Sequence, residues 1–137
     1  MDGPGRPDVG GAVIVADTTV LVDALRGLPA ATVAIDDAFD RGDEVTASVV
    51  SKVEVWRGMR AHEKRAVRTL FGLIQWVPVD EAVADLAGEY ARIYRASHGG
   101  IDVPDLIIAA TAMRADAELW TRNVKHFPMF EALEAPY

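Results

Sequence analysis

Apolar residues follow two rhythms along this chain: short β-branched runs that stop on a polar residue, and longer stretches with apolar positions three and four apart. Ala12 to Ala16 is a run of the first kind and is closed by Asp17. A run so short and so apolar reads as a strand buried on both faces. Thr18 to Arg26 follows as a helix with Val20, Leu21, Ala24 and Leu25 on one face, stopped by Gly27 and Pro29. A second helix runs from about Ala30 to Arg41, where Gly42-Asp43 ends it. Val45-Thr46-Ala47 is a short strand, and Ser48 caps a helix from Val49 to Met59. The pattern then predicts a helix over Ala61 to Leu73 and a strand fragment over Trp76 to Val79. Asp80 caps a long helix through about Ser97, with Val83, Leu86, Ala87, Tyr90 and Ile93 at helical spacing and Gly99-Gly100 beyond it. Pro104 to Ala115 is apolar almost all round, as a helix packed on a sheet is; Glu118 to Thr121 is the next strand, and Met129 to Leu133 an edge strand or tail. Residues 1–11, rich in Gly and Pro, are expected to form a disordered lead-in, which leaves 12–137 as the folded unit. Strand and helix alternate without repeats or linkers. The fold class is therefore α/β, a single domain with a mainly parallel central sheet flanked by helices.

Composition narrows the functions open to such a fold. The chain has 137 residues, half of them hydrophobic, which suits one domain with a real core. No apolar stretch approaches the length of a membrane span, and the N-terminus lacks a basic segment followed by a hydrophobic one. A cytoplasmic protein with no membrane partner is expected. There is no cysteine, which excludes disulfides and thiolate zinc sites, and His62, His98 and His126 form no ligand pair at helical spacing. Any metal must be held by oxygen. The formal net charge of −7 argues against a general nucleic-acid coat, because chains that bind by broad electrostatics are basic. One local exception is the cluster Arg57, Arg60, His62, Lys64, Arg65 and Arg68, in which Glu63 is the only acid. A solvated helix face is the ordinary explanation of such a run.

Three acids stand among small and apolar residues, and each has an ordinary explanation. Asp17 precedes a helix and is placed to cap it, yet it also lies at a strand tip, where open parallel sheets bind ligands. Glu54 lies at the border of its helix's apolar face, a place for a surface residue. Asp105 follows Pro104 in a first turn and shares a face with Ile108, Ala109 and Ala112. The helix dipole favours an acid there by about 0.3–1 kcal/mol but does not require its burial. In Asp102-Val103-Pro104-Asp105, Asp102 reads as the cap of that helix, and Asp23 and Asp116 read as exposed acids. Brought together, Asp17, Glu54 and Asp105 would repel one another unless a cation neutralised them, so the economical reading is a metal site.

Four stretches taken in order are more specific than any acid alone. They are Asp17-Thr18-Thr19-Val20-Leu21 after an apolar strand; Glu54 within Val49-Val50-Ser51-Lys52-Val53-Glu54-Val55; Asp105-Leu106-Ile107-Ile108-Ala109-Ala110-Thr111-Ala112; and Leu119-Trp120-Thr121-Arg122-Asn123 followed by His126-Phe127. Their order and spacing resemble the signatures of the PIN-domain ribonucleases, and the length and layout resemble the VapC toxins of bacterial toxin-antitoxin pairs, over about Ala12 to Leu133. The resemblance implies a toxin that is a metal-dependent endoribonuclease. In it Asp17, Glu54 and Asp105 are the catalytic acids that hold Mg²⁺ or Mn²⁺ at the C-terminal edge of the sheet. Thr18 matches the hydroxyl residue beside the first acid, and Thr121 lies at the polar strand end next to it. The family's fourth acidic position falls on Asn123, which can ligate a hard cation but brings no charge; Asp102 is the alternative donor. Water would attack the phosphodiester in line, leaving a 5′-phosphate and a 3′-hydroxyl, with Glu54 or Asp105 taking the proton.

An acidic site repels RNA, so cations beside it gain weight: Arg57, Arg60, Arg65, Arg122 and Lys125 are the candidates for phosphate contact. The resemblance further implies a homodimer held inactive by a small VapB-like antitoxin. Trp56, Trp76, Tyr90, Phe71 and Met59 offer apolar material for such contacts, with core packing as their simpler role. Three other readings compete. A haloacid-dehalogenase-type phosphatase needs a second acid two positions after the first, where Thr19 stands. A response-regulator receiver needs an acidic pair near the first strand end and a lysine at a later strand tip, where Arg122 is a poor match. A PIN-like module that binds RNA or an antitoxin but cleaves weakly rests on Asn123.

Overall fold

The short apolar runs around Val15, Thr46, Trp76 and Leu119 form strands, and the periodic stretches form helices. The computed structural model describes residues 11–137. The first run is β1, Val13–Ala16, and helices α1, Thr18–Leu25, and α2, Pro29–Asp40, follow it. Gly27, with φ +75°, ends α1 in a conformation that a side chain would disfavour. Then come β2, Glu44–Ser48, α3, Val49–Gly58, a 3₁₀ turn at Ala61–Glu63, α4, Lys64–Leu73, and β3, Gln75–Val77. The chain closes with α5, Glu81–Tyr94, α6, Val103–Arg114, β4, Glu118–Trp120, and a 3₁₀ turn at Val124–His126.

The four strands form one sheet in the order β3-β2-β1-β4, parallel throughout. Both faces of β1 are buried, which explains its unbroken apolar run. Ile14 and Ala16 join Val20, Leu21, Ile35 and Val45 in one core, while Val15 joins Ile108, Ala109, Leu119 and Phe127 in a second. A third cluster, with Val83, Ala87, Leu106 and Ala110, locks α5 onto α6. The small residues of α6 let it approach its neighbours closely, which its nearly all-apolar sequence anticipates.

Several details depart from the pattern. The helix expected over Ala61 to Leu73 begins as a 3₁₀ turn, and α5 ends at Tyr94, short of Ser97. Met129 to Leu133 forms no strand; Met129, Phe130 and Leu133 pack against the second core. Residues 1–10 of the expected lead-in lie outside the described residues, and the Gly11 N–H donates to the Gly42 carbonyl at 3.1 Å. Trp56, Met59, Phe71 and Trp76 pack against the first core, where Phe71 meets Trp56 and Trp76 edge to face. Among the described residues no single helix is long and apolar enough to cross a membrane.

Candidate active site

Strand order decides where the acids meet. β1 has β2 on one side and β4 on the other, so the chain reverses its winding beside β1, and the C-terminal strand tips at such a reversal are where open parallel sheets bind ligands. Ala16 pairs with Trp120, and the Asp17 N–H donates to the Trp120 carbonyl at 2.8 Å. The ladder thus carries Asp17 and Thr121 side by side to the rim.

Asp17 occupies the N-cap position of α1 but makes no capping bond with its side chain. Its Oδ2 instead accepts from Thr121 Oγ1 at 2.6 Å and from Thr19 Oγ1 at 3.0 Å. Each threonine oxygen accepts in turn from a backbone N–H beyond β4: that of Asn123 on Thr121, at 2.9 Å, and that of Arg122 on Thr19, at 3.3 Å. With those lone pairs occupied, the one proton of each hydroxyl is directed to Asp17. The carboxylate is only 2% exposed and takes part in no ion pair among the described residues. Buried charges are ordinarily paired or bound to metal, so Asp17 is a carboxylate in want of a cation.

Glu54 is brought to the same rim by α3, whose start is fixed by Ser48 Oγ accepting from the Val50 N–H at 3.2 Å. Thr18 Oγ1 donates to Glu54 Oε1 at 2.6 Å and lies 2.9 Å from the buried Ser51 hydroxyl. Glu54 is therefore half-buried and anchored, which overturns the surface reading of its position. Asp105, in the first turn of α6, lies 3.0 Å by its Oδ2 from His126 Nδ1, whose N–H donates to it. Burial, and next the Asp17 carboxylate, push the Asp105 carboxyl above the usual carboxylate range; Glu54 adds a smaller push, and His126 pulls the other way.

The set can hold a metal. Every acidic donor is a carboxylate oxygen, the chemistry of a hard cation such as Mg²⁺, which binds one or two carboxylates and otherwise water and phosphate. Among the described residues no three Asp, Glu or His side chains close to ligating distance around one point. Like charges keep carboxylates apart until a cation stands between them.

Other expected site residues are placed less simply. Asn123 follows Thr121 and orients it through its backbone N–H. Asp102 is exposed and, contrary to the capping expectation, makes no capping bond with its side chain. Arg122 is half-exposed; its guanidinium pairs with Asp23 at 3.1 Å and lies over the Tyr137 ring. Asp23 is thus no free surface acid, since it also accepts from the Tyr137 hydroxyl at 2.7 Å. Arg57 and Arg60 are exposed. Arg65 lines a cleft with Ala24, Leu25 and Leu70 that contains none of the three acids, and Lys125 is exposed beside His126. Thr19, Ser51 and His126 were missed as site residues. Thr19 has a sequence signal, a hydroxyl two positions after the acid; His126 has only its place at the end of the fourth signature.

The PIN domain family model matches residues 14–128. The chain is similar to ribonuclease VapC19 of Mycobacterium tuberculosis, 46% identical over 121 residues that cover 88% of this chain and 97% of that protein. Ribonuclease VapC10 of the same organism is 42% identical over 125 residues, 91% of this chain and 93% of that protein. In fold, the chain is similar to the toxin-antitoxin complex from Klebsiella pneumoniae, with a TM-score of 0.74 at 24% identity over 90% of this chain and 98% of that one.

Proposed function

Because this chain belongs to the PIN domain family, among its VapC ribonucleases, we propose that it is the toxin of a toxin-antitoxin pair, an endoribonuclease that hydrolyses RNA phosphodiester bonds in the cytoplasm with Mg²⁺ or Mn²⁺. The observation that carries this reading is Asp17: a carboxylate 2% exposed, oriented by two threonines, with Glu54 and Asp105 at the same rim and, among the described residues, no ion-pair partner.

Asp17, Asp105 and Glu54 would hold the metal, and a bound divalent cation supplies charge neutralisation at the phosphodiester and a more acidic water. The protein's own share is orientation. Thr19 and Thr121 fix the Asp17 carboxylate, Thr18 fixes Glu54, and His126 fixes Asp105. Water attacks phosphorus as the bond to the 3′ oxygen breaks; Glu54 or Asp105 accepts the water's proton, and the departing 3′ oxygen takes a proton from solvent to leave as the hydroxyl. Asn123 acts through the Thr121 hydroxyl and adds no charge. A VapB-like antitoxin is the partner. The groove lined by Val22, Leu25, Val55 and Met59, with Glu54 in its wall, offers it an apolar seat beside the acids. The active assembly is a homodimer.

Cleavage of total RNA by the purified protein with Mg²⁺ or Mn²⁺, with mapping of product 5′ ends, tests the reading. Discrete cuts bearing 5′-phosphates, lost in EDTA and in Asp17→Ala, are expected. No cleavage by folded, antitoxin-free protein would overturn it in favour of a binding module.

A further inference from the structure

On the α6 side of the acids the surface changes character. His126, which holds Asp105, also lines a cleft with Lys125, His98 and Ile101. His98 and Ile101 continue into a second cleft of about 230 Å³, with Tyr90, Tyr94 and Arg95 in its walls. Tyr90 and Tyr94 are one helical turn apart on α5, and the chain keeps the turn going past the helix end, since the His98 N–H donates to the Tyr94 carbonyl at 2.8 Å. The three rings therefore stand in a row, with centroids 6.3 Å and 5.7 Å apart, Tyr94 meeting His98 edge to face; all three are half-buried, and because Tyr90 also packs against the second and third cores, the ring faces open to a ligand are mainly those of Tyr94 and His98.

The charge of this region runs against that of the whole chain. The walls of the two clefts carry the cations Arg95 and Lys125 with the imidazoles of His98 and His126, and among the described residues the one acid that reaches them is Asp105, held against His126, in a protein of net charge −7. Arg95 and Lys125 are exposed and enter no ion pair among the described residues. We propose that the surface from His126 past His98 to Tyr90 is a binding track for an unpaired RNA strand on one side of the scissile phosphate. The inference rests on the ribonuclease reading and adds to it the form of the substrate and the path it takes.

Cations interleaved with aromatic rings match a strand that alternates phosphates with bases. Arg95 and Lys125 hold the backbone, and the rings offer stacking surface to bases of any sequence. A duplex fits poorly, because its bases are already stacked inside the helix and unavailable to rings set in a cleft. A second copy of the chain fits poorly too. A two-fold interface would bring the same unpaired cations face to face.

The test is fluorescence anisotropy of a labelled single-stranded RNA of about a dozen nucleotides, enough to span the site and its flank, titrated in EDTA so that it stays intact. The parent is compared with Arg95→Glu/Lys125→Glu and with Tyr94→Leu. The double variant should bind at least about tenfold more weakly, with a log–log salt slope flatter by about 1.4, the share of two phosphate contacts. Tyr94→Leu should lose about fivefold with its salt slope unchanged, as stacking without charge requires. Parent-like affinity in the double variant, whose two residues are exposed and safe to change, would overturn the track even if Tyr94→Leu failed to fold. So would equal affinity for the matching duplex, or variants that alter the sedimentation of the protein while binding RNA normally, which would make the face an interface between copies. If the parent cleaves RNA with Mg²⁺ but these variants bind as it does, the track alone fails. If the parent neither binds nor cleaves, the ribonuclease reading fails with it.

Discussion

Asp17 and Asp80 occupy the same local setting and do opposite work. Each is an acid in extended backbone immediately before a helix that follows a strand. Asp80, exposed at the start of α5, accepts the Val83 N–H at 2.9 Å through Oδ1 and is an ordinary cap. Asp17, buried at the start of α1, leaves that helix uncapped and takes two threonine hydroxyls instead. The difference lies in the sheet. Asp80 comes after edge strand β3, which has a neighbour on one side alone, whereas Asp17 ends the strand beside which the winding reverses, with β4 bringing Thr121 against it. A strand-end acid that declines its cap is committed to something else.

Asp17→Asn keeps the shape and the threonine contacts but removes the charge. RNA cleavage should fall on the order of 10⁴-fold, as it does when a group central to hydrolysis is lost, while the melting temperature holds or rises because a buried unpaired charge has gone. Steady-state cleavage and thermal melts measure the two together. Thr121→Val removes one of the two hydroxyls and frees the carboxylate to turn. Cleavage should drop by about 10–100-fold, the usual cost of losing a partner that orients a ligand, and Mn²⁺ affinity should weaken with it.

Asp80→Ala sharpens the other side. It should cost about 1 kcal/mol of stability, the worth of a cap, and leave cleavage at the parent rate, as read by urea denaturation beside the RNA assay. The smallest effect concerns Asp105. Its carboxyl is held above the ordinary range by burial and by Asp17, so the folded protein keeps a proton there that the unfolded chain has already released. Stability in EDTA should therefore fall as pH rises through the window from the ordinary carboxylate pKa of about 3.9 up to the raised folded value, and stay level above it. Asp105→Asn should flatten that slope and melt above the parent at neutral pH.

Much of this was readable from local signals. The β-branched run of β1, the Ser48 and Asp80 caps and the glycine that stops α1 all act within a few residues, and they stand where the pattern puts them. The three acids proposed for the site stand out in the sequence because each sits in a signature of its own. What orients them does not. Thr121 reaches Asp17 over a separation of 104 residues that the β1–β4 pairing closes, and His126 reaches Asp105 over one of 21 that only the tertiary fold closes. Asp102 and Asp23 show the same limit in reverse. The first has a cap's sequence without a cap's bond, and the second, read as exposed, is tied to Arg122 and Tyr137. The end of α5 slipped because its glycines lie beyond a stretch of turns that no strong stop signal marks.

The claim that Asp17 is a metal ligand and not a cap is tested most directly by Mn²⁺ titration, followed by electron paramagnetic resonance, of the parent, Asp17→Asn and Asp80→Ala. The parent and Asp80→Ala should bind Mn²⁺ alike, and Asp17→Asn at least about tenfold more weakly. Parent-like Mn²⁺ affinity in folded Asp17→Asn would contradict it.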